Sequence, residues 1–209
     1  MTRFLALLAV LFLAAPAMAG TPSAADQADL KRIEAYLNGL QKFKARILQL
    51  NPDGTTIGGS LAIQRPGKMR LDYDAPAKSF IIADGTFVHY WDDQLQQTSS
   101  VPEDSSPAAL VLKAQVEFSA SSKNGMTITD VSRQPGELDV SMYKTDDKDS
   151  GILTLVFEDN PIALRQWRIK DNTGAVTRVT LQNIDQAVSF DSHMFTYRPP
   201  SFDKNQKKF

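Results

Sequence analysis

The stretch from Gly58 to Gly85 constrains the fold more than any other part of the chain, because apolar and polar residues alternate there in three short runs. In the first run Leu61 and Ile63 share one parity, and in the second Met69 and Leu71 do. Successive side chains of a strand point to opposite faces, so each run has one apolar and one polar face. The pattern predicts antiparallel strands whose sheet buries a single face.

The same two-residue period recurs along most of the chain, and together the runs predict about eleven strands. Their approximate spans are Phe43–Leu48, Ile57–Ile63, Met69–Tyr73, Ser79–Ala83, Phe87–Trp91, Met126–Ser132, Leu138–Tyr143, Ile152–Phe157, Arg165–Lys170, Val176–Ile184 and Phe195–Tyr197. Neighbouring strands rotate by about 20 to 25° on one another, so a sheet this long must curl. We therefore expect a concave apolar surface on its buried face.

Two segments have helical rather than strand periodicity. Asp26–Leu40 carries apolar residues at intervals of three and four, which is typical of an amphipathic helix. Ser105 to Pro107 resembles a helix start, and Ala108–Leu112 a short apolar body. Short amphipathic helices need an apolar surface to cover. The expected fold class is mainly β with a helical lid (α+β): an unclosed antiparallel half-barrel whose hydrophobic cavity is covered by short helices.

The first nineteen residues have the features of an export signal. Arg3 precedes an apolar run from Phe4 to Pro16, and Ala17–Ala19 is a small-residue cleavage site. The run is short for a hydrocarbon core of about 30 Å, which disfavours a membrane anchor. We therefore expect a cleaved signal peptide at 1–19, export to the periplasm, and a single mature domain at 20–209.

The chain has no cysteine, and this excludes structural disulfides, thiol nucleophiles and cysteine metal sites. It also excludes a lipid anchor, which needs a cysteine at the cleavage point. Without Arg3 the chain has 22 basic and 24 acidic side chains, so nothing favours a nucleic-acid partner.

Residues that suit catalysis or metal binding are sparse. His89 and His193 are the only histidines and stand in separate strand contexts without a recognisable catalytic motif. The acidic run 146–151 lacks the ligand spacing of a calcium-binding loop. We expect neither an enzyme nor a metal or other cofactor.

Several short motifs occur in an order that resembles the LolA family of periplasmic lipoprotein carriers. After the export signal and the amphipathic helix come Phe43, Ile47 and Gln49, then Gly59–Pro66, Tyr73–Pro76, Asp84-Gly85 and Phe195–Pro199. The resemblance implies a carrier whose cavity shields the acyl chains of triacylated lipoproteins. It also implies cargo received from an ATP-driven releasing complex of the inner membrane and passed to an outer-membrane acceptor. The acceptor is itself a lipoprotein, so the missing cysteine matches the soluble, monomeric carrier.

The candidate site residues follow from the residue pattern and from this resemblance. Arg65 shares parity with Leu61 and Ile63, at the edge of the apolar face, where a buried charge needs partners. The resemblance implies that Arg65 fastens the lid through main-chain carbonyls near Leu37 and near Val111 and Leu112. A solvated turn arginine is the alternative. The expected cavity-lining residues are Leu61, Ile63, Met69, Leu71, Tyr73, Ile81 and Leu110, which ordinary core packing would explain equally well.

Other functions remain open from the sequence. The same fold suits a carrier of a different amphiphile, such as a glycolipid or a hopanoid-like lipid, and a regulatory domain that senses lipids or lipoproteins. An enzyme acting on lipids would need converging polar residues in its cavity, and the sequence offers no such set.

Overall fold

The computed structural model describes residues 22–106, 109–118, 125–191 and 193–200. The predicted signal peptide, with cleavage after Ala19, lies outside the described residues. The helices are α1 (Ala24–Gly39) and α2 (Ala109–Leu112), with a short 3₁₀ helix at Glu103–Ser105. The strands are β1 (Lys42–Leu50), β2 (Thr56–Gln64), β3 (Lys68–Tyr73), β4 (Phe80–Asp84), β5 (Phe87–Asp92), β6 (Gln97–Pro102), β7 (Met126–Gln134), β8 (Glu137–Lys144), β9 (Asp147–Glu158), β10 (Ala163–Lys170) and β11 (Val176–Asp185).

The strands form one antiparallel sheet in the order β6-β5-β4-β3-β2-β1-β11-β10-β9-β8-β7. Each of the two halves is a meander, and β1 joins them by pairing with both β2 and β11. β6 and β7 are the edge strands and do not pair with each other. The predicted fold class, an unclosed antiparallel sheet with short covering helices, is confirmed.

Helix α1 begins at a capping box. The Ser23 hydroxyl accepts a hydrogen bond from the Asp26 amide, and the Asp26 carboxylate accepts one from the Ser23 amide. Its apolar stripe of Leu30, Ile33 and Leu37 is buried in the main core, against the alternating inward residues of the strands. The helix predicted for 26–40 is therefore confirmed with its start two residues earlier.

The predicted strands differ from the observed ones in two places. Strand β6 was missed because all six of its residues are exposed and its sequence has no apolar alternation. Phe195–Tyr197, which alternates, is not a strand. Phe195 instead is buried on the outer face of the sheet, where Tyr197 of the same segment contacts the Phe80 ring.

The connecting turns divide the sheet into two ends. At one end lie the turns 65–67, 85–86, 135–136 and 159–162, and α1 runs along them. Exposed ion pairs link α1 to this end: Arg32 contacts Asp159 at 3.0 Å, and Arg133 contacts Asp29 at 2.7 Å. We call it the helix-covered end. The turns 51–55, 74–79, 93–96 and 171–175 form the opposite, open end.

Gly67 is required in the turn between β2 and β3. Its φ of 74° is in the left-handed region. A Cβ atom on Gly67 would lie 2.8 Å from the Cα atom of Gly85 and 2.9 Å from Glu103 Oε2. Gly136 has a similar φ of 80° but open space around it, so it is a matched control.

We expect Gly136→Ala to lower the free energy of unfolding by about 1 to 2 kcal/mol, the cost of a left-handed alanine. Gly67→Ala should cost about 1 to 3 kcal/mol more, because the turn must also move away from Gly85. Urea unfolding of both variants measures the difference. Equal losses would show that the close approach at Gly67 has no energetic weight.

Candidate functional site

An apolar cavity of about 200 Å³ lies between the concave face of the sheet and the chain around α2, which contributes Ser106 and Val111. Both halves of the sheet contribute to it. Its lining consists of Gln49, Leu61, Ile63, Met69, Leu71, Tyr73, Ile81, Val88, Ser106, Val111, Leu153, Leu155, Trp167, Ile169, Thr177 and Val179. The lining is almost entirely aliphatic and aromatic, so the cavity suits hydrocarbon and offers few groups that could orient a polar reactant.

Six of the seven residues expected to line the cavity do lie around it. The exception is Leu110, which is buried but faces a separate pocket beside α2. Val111, expected as a carbonyl partner of Arg65, instead contributes to the lining. Neighbouring residues of a helix point in different directions, and the sequence did not fix the rotation of a helix as short as α2.

The lining residues from the second half of the sheet were missed by sequence reasoning. Leu153 and Leu155 on β9, and Trp167 and Ile169 on β10, share a parity within segments that were predicted as strands. That parity is the signal that could have identified them. Parity shows which residues share one face of a strand. It does not show that the side chains of β9 and β10 line the same cavity as Leu61 and Ile63.

Arg65 is buried, with 7% of its surface exposed. Its guanidinium donates through Nη1 to the carbonyl oxygen of Leu37 in α1, and through Nε to the carbonyl oxygen of Lys113 at 2.6 Å. The second partner lies one residue beyond Val111 and Leu112, the positions near which the carbonyl was expected. The Leu112 carbonyl accepts instead from the Gly67 amide, at 2.9 Å. The solvated turn arginine, the alternative reading of Arg65, is not what the structure has.

No carboxylate within the described ranges pairs with the Arg65 guanidinium, and its Nη2 atom has no hydrogen-bond partner there. Burial lowers the pKa of Arg65, because removal from water penalises the charged form. An arginine still stays protonated at physiological pH. Its charge is therefore balanced only by the partial charges of main-chain carbonyls.

Helix α1 also holds the segment that follows α2. The Asn38 side chain donates to the Val116 carbonyl at 2.9 Å and accepts from the Val116 amide at 2.8 Å. The Glu34 carboxylate accepts from the amide of Phe118. Polar contacts to main-chain atoms thus connect this segment to α1, and the buried Val116 side chain also packs in the main core.

A second cavity of about 470 Å³ opens at the open end of the sheet, and we call it the mouth. It is lined by Gln49, Asn51, Ile57, Tyr73, Ala77, Ser79, Ile81, Tyr90, Asp92 and Gln94. Three of these residues, Gln49, Tyr73 and Ile81, also line the apolar cavity, so the two spaces adjoin. The Tyr73 hydroxyl donates to Gln49 Oε1 at 2.9 Å at this boundary.

A third cavity of about 370 Å³ lies beside α2, and we call it the side pocket. It shares Ser106, Leu153 and Ile169 with the apolar cavity. Its rim carries charges of both signs, among them Lys144 and Asp146, which form an ion pair at 3.3 Å. The apolar cavity therefore adjoins two openings of different chemistry.

The histidines have structural surroundings. On the outer face His89 stacks on Tyr197 and contacts Ser100 Oγ at 2.8 Å and Asp84 Oδ2 at 3.2 Å. His193 lies in the segment that follows β11. Across the described ranges, histidines and carboxylates form no group of three or more that could hold a metal ion. None of the described helices is long and apolar enough to cross a membrane.

Burial of Tyr73 raises the pKa of its phenol to about 12, and the nearby Tyr90 adds to this effect, while the hydrogen bond to Gln49 opposes it. An unfolded tyrosine titrates near pH 10. Because the folded pKa is the higher one, the native state gains stability from Tyr73 below about pH 10 and loses it as the pH rises towards 12.

Between pH 9 and pH 11 the wild type should therefore lose about 1 kcal/mol more stability than Tyr73→Phe, which has no phenol to ionise at this position. Urea unfolding of both proteins at the two pH values measures this loss. A difference between them that does not change with pH would contradict the assignment of a buried, protonated Tyr73.

Comparison with known proteins agrees with this architecture. The family model of the outer membrane lipoprotein carrier protein LolA matches residues 38–198. An outer-membrane lipoprotein carrier protein of Pseudomonas aeruginosa is 29% identical, over 96% of this chain and 99% of its own. The carrier of that name from Methylococcus capsulatus is 25% identical, over 87% and 89%.

Among solved structures, a DUF1329 family protein from Desulfovibrio piger is similar in fold, with a TM-score of 0.50 at 9% identity, over 85% of this chain and 98% of its own. The relatives in sequence are named as carriers and not as enzymes. The match of the family model over most of the chain shows that this protein belongs to the LolA family.

Proposed function

We propose that this protein is a periplasmic carrier that shields the acyl chains of lipoproteins on their way from the inner to the outer membrane. The observation that carries the proposal is an apolar cavity whose covering helices are fastened by one buried arginine. The names of its relatives support lipoproteins as the cargo. We propose the cavity lining as the acyl-chain site, and Arg65 as the latch that keeps the helices over it.

The size of the cavity implies that the cover must move. Pockets for small organic ligands have volumes of about 300 to 1,000 Å³, whereas the apolar cavity has about 200 Å³. Several long acyl chains would not fit unless α2 and the segment after it were displaced. Each methylene that leaves water contributes about 0.8 kcal/mol, so partial burial of the cargo supplies enough free energy to displace a weak cover.

The Arg65 contacts are weak enough to be displaced in this way. A hydrogen bond from a charged donor contributes about 1.5 to 3 kcal/mol. Two such bonds hold α1 and the residue after α2, while the buried Nη2 atom is unpartnered within the described residues and opposes closure. When the cover opens, the guanidinium regains its hydration. These polar contacts are therefore worth a few kcal/mol, and the burial of Leu110, Leu112 and Val116 adds to the stability of the closed form. A ligand that prefers the open form shifts the population.

Delivery needs a donor and an acceptor. We propose that an ATP-driven complex of the inner membrane loads the carrier and that an outer-membrane acceptor unloads it. The predicted export signal fits this route. An apolar lining does not distinguish lipoproteins from glycolipids or hopanoid-like lipids, so these amphiphiles are the alternative cargo.

Replacing Arg65 with leucine should loosen the cover. The variant loses both carbonyl contacts, so amide hydrogens in residues 28–40 and 109–113 should exchange at least about tenfold faster, which corresponds to a loss of about 1.4 kcal/mol. Arg65→Lys keeps the charge but offers a single donor group, so its exchange should be intermediate. Amides of β8 and β9 are the internal control. Unchanged exchange near the helices would remove Arg65 from the latch role.

The cargo itself can be identified after purification of the mature protein from the periplasm of its host. Mass spectrometry of the co-purified material should find triacylated polypeptides. Their amount should fall in a variant with Leu71→Asp, which puts a charge into the cavity lining. The folded state of that variant is checked by circular dichroism. Recovery of glycolipids or free lipids alone would favour the alternative cargo.

A further inference from the structure

The apolar cavity accounts for acyl chains but leaves the polar part of an amphiphile without a place. That part must leave the cavity through an opening, and among the described residues the mouth and the side pocket both adjoin the cavity. The helix-covered end is closed by α1 and by the contacts of Arg65 and Gly67. The chemistry of the two openings decides between them.

The mouth is polar but nearly uncharged. Its lining contains amides, hydroxyls and phenols, and Asp92 is the single carboxylate; no lysine, arginine or histidine lines it within the described ranges. The Asp92 carboxylate accepts hydrogen bonds from the amides of Gln94 and Leu95 at 2.8 and 3.0 Å. The acid thus stabilises its own turn, and a phosphate or carboxylate head group would meet no cation here.

Other groups of the mouth are available to a ligand. The side-chain amide of Gln94 and the hydroxyl of Tyr90 make no hydrogen bond within the part of the chain that the structure describes. These two groups can donate and accept hydrogen bonds. They lie beside the hydrogen-bonded pair of Tyr73 and Gln49, at the boundary between the mouth and the apolar cavity. Paired donors and acceptors without charge match the peptide group, which has one of each.

The side pocket is less suitable for such a head group. Its rim carries lysines and aspartates, and a neutral peptide there would have to desolvate charged groups without supplying a counter-charge. An amphiphile with its chains in the apolar cavity and a neutral head in the mouth would avoid this cost.

We propose that the mouth binds the uncharged peptide backbone next to the acylated residue of the cargo, with Gln49, Tyr73, Tyr90 and Gln94 as its hydrogen-bonding groups. This inference rests on the proposed carrier function and adds the place and chemistry of head-group recognition. It implies selection against anionic phospholipids, which surround the cargo in a membrane and have similar chains. A neutral sugar head has the same hydrogen-bonding chemistry, so the test must separate the two sources.

The absence of cysteine allows a direct test, because a single introduced thiol is unique in the chain. Gln94→Cys places it in the mouth, and Asp146→Cys places it at the rim of the side pocket; both positions are exposed. The probe is a triacylated cysteinyl peptide of glycine, serine and asparagine, with a maleimide a few residues beyond the acylated cysteine. The same maleimide peptide with serine in place of the acylated cysteine, and therefore without acyl chains or a thiol of its own, corrects for the reactivity of each introduced thiol.

We expect the acyl chains to accelerate the reaction at Gln94→Cys at least about tenfold, because a tethered group reaches an effective concentration near the millimolar range. Asp146→Cys should show little acceleration. The opposite ranking would overturn the proposal while leaving the carrier function intact. Failure of the triacylated peptide to bind the unmodified protein, measured by calorimetry, would overturn both.

Head-group selection is tested by competition against the same acylated peptide. Phosphatidylglycerol with matched chains should compete poorly against the wild type, and Gln94→Lys should improve its competition about two- to tenfold, since it puts a cation in the mouth. A neutral glycolipid that competes better than an unlabelled lipopeptide would identify the sugar as the head group and overturn the assignment to peptide. Equal competition by phosphatidylglycerol, the glycolipid and the lipopeptide would show that the mouth does not discriminate between head groups.

Discussion

The concave apolar face of a sheet that does not close is the constraint on which the rest of this structure depends. Edge strands β6 and β7 do not pair, so the inward residues of the sheet cannot be buried by the sheet alone. Helix α1 covers part of that face with Leu30, Ile33 and Leu37, which belong to the main core. What α1 leaves uncovered is the apolar cavity, over which α2 lies.

The two helices are attached in different ways, and this difference matters for function. Helix α1 has sixteen residues, a buried apolar stripe and ion pairs to the turn at Asp159 and to the end of β7 at Arg133. Helix α2 has four residues, too few to be stable without tertiary contacts. The contacts of its main chain and of the segment after it run through Gly67, Arg65 and Asn38. The stable element thus organises the cavity, and the marginal one is suited to open it.

Most of the fold could be predicted from the sequence because many of its strands alternate between buried and more exposed residues, most clearly β1, β3 and β8. Strand β6 carries no such pattern, since it is paired on one side only and all its residues are exposed. The alternation of apolar and polar residues around Phe195 has a different cause, because Phe195 is buried against the outer face of the sheet without being part of a strand. Periodicity therefore reports burial, and it indicates strands only where burial and pairing coincide.

The site was predictable to a smaller extent. The parity of Leu61, Met69 and Tyr73 identified residues that line the cavity, but the space between the two halves of the sheet depends on curvature that no local pattern records. The carbonyl partners of Arg65 are main-chain atoms, whose direction depends on the path of the chain and not on the residue type. For this reason Lys113, rather than Leu112, accepts the second hydrogen bond.

The choice of carbonyls as partners for Arg65 has a physical consequence of its own. A buried carboxylate would bind the guanidinium more strongly, and removing it from the pair would leave an uncompensated charge at a cost of about 3 to 5 kcal/mol. Such a pair would also weaken on acidification as the carboxylate became protonated. Carbonyls do not titrate, and arginine keeps its proton even where burial lowers its pKa. The contacts that Arg65 makes with the cover are thus insensitive to pH and weak enough to be exchanged for the burial of hydrocarbon.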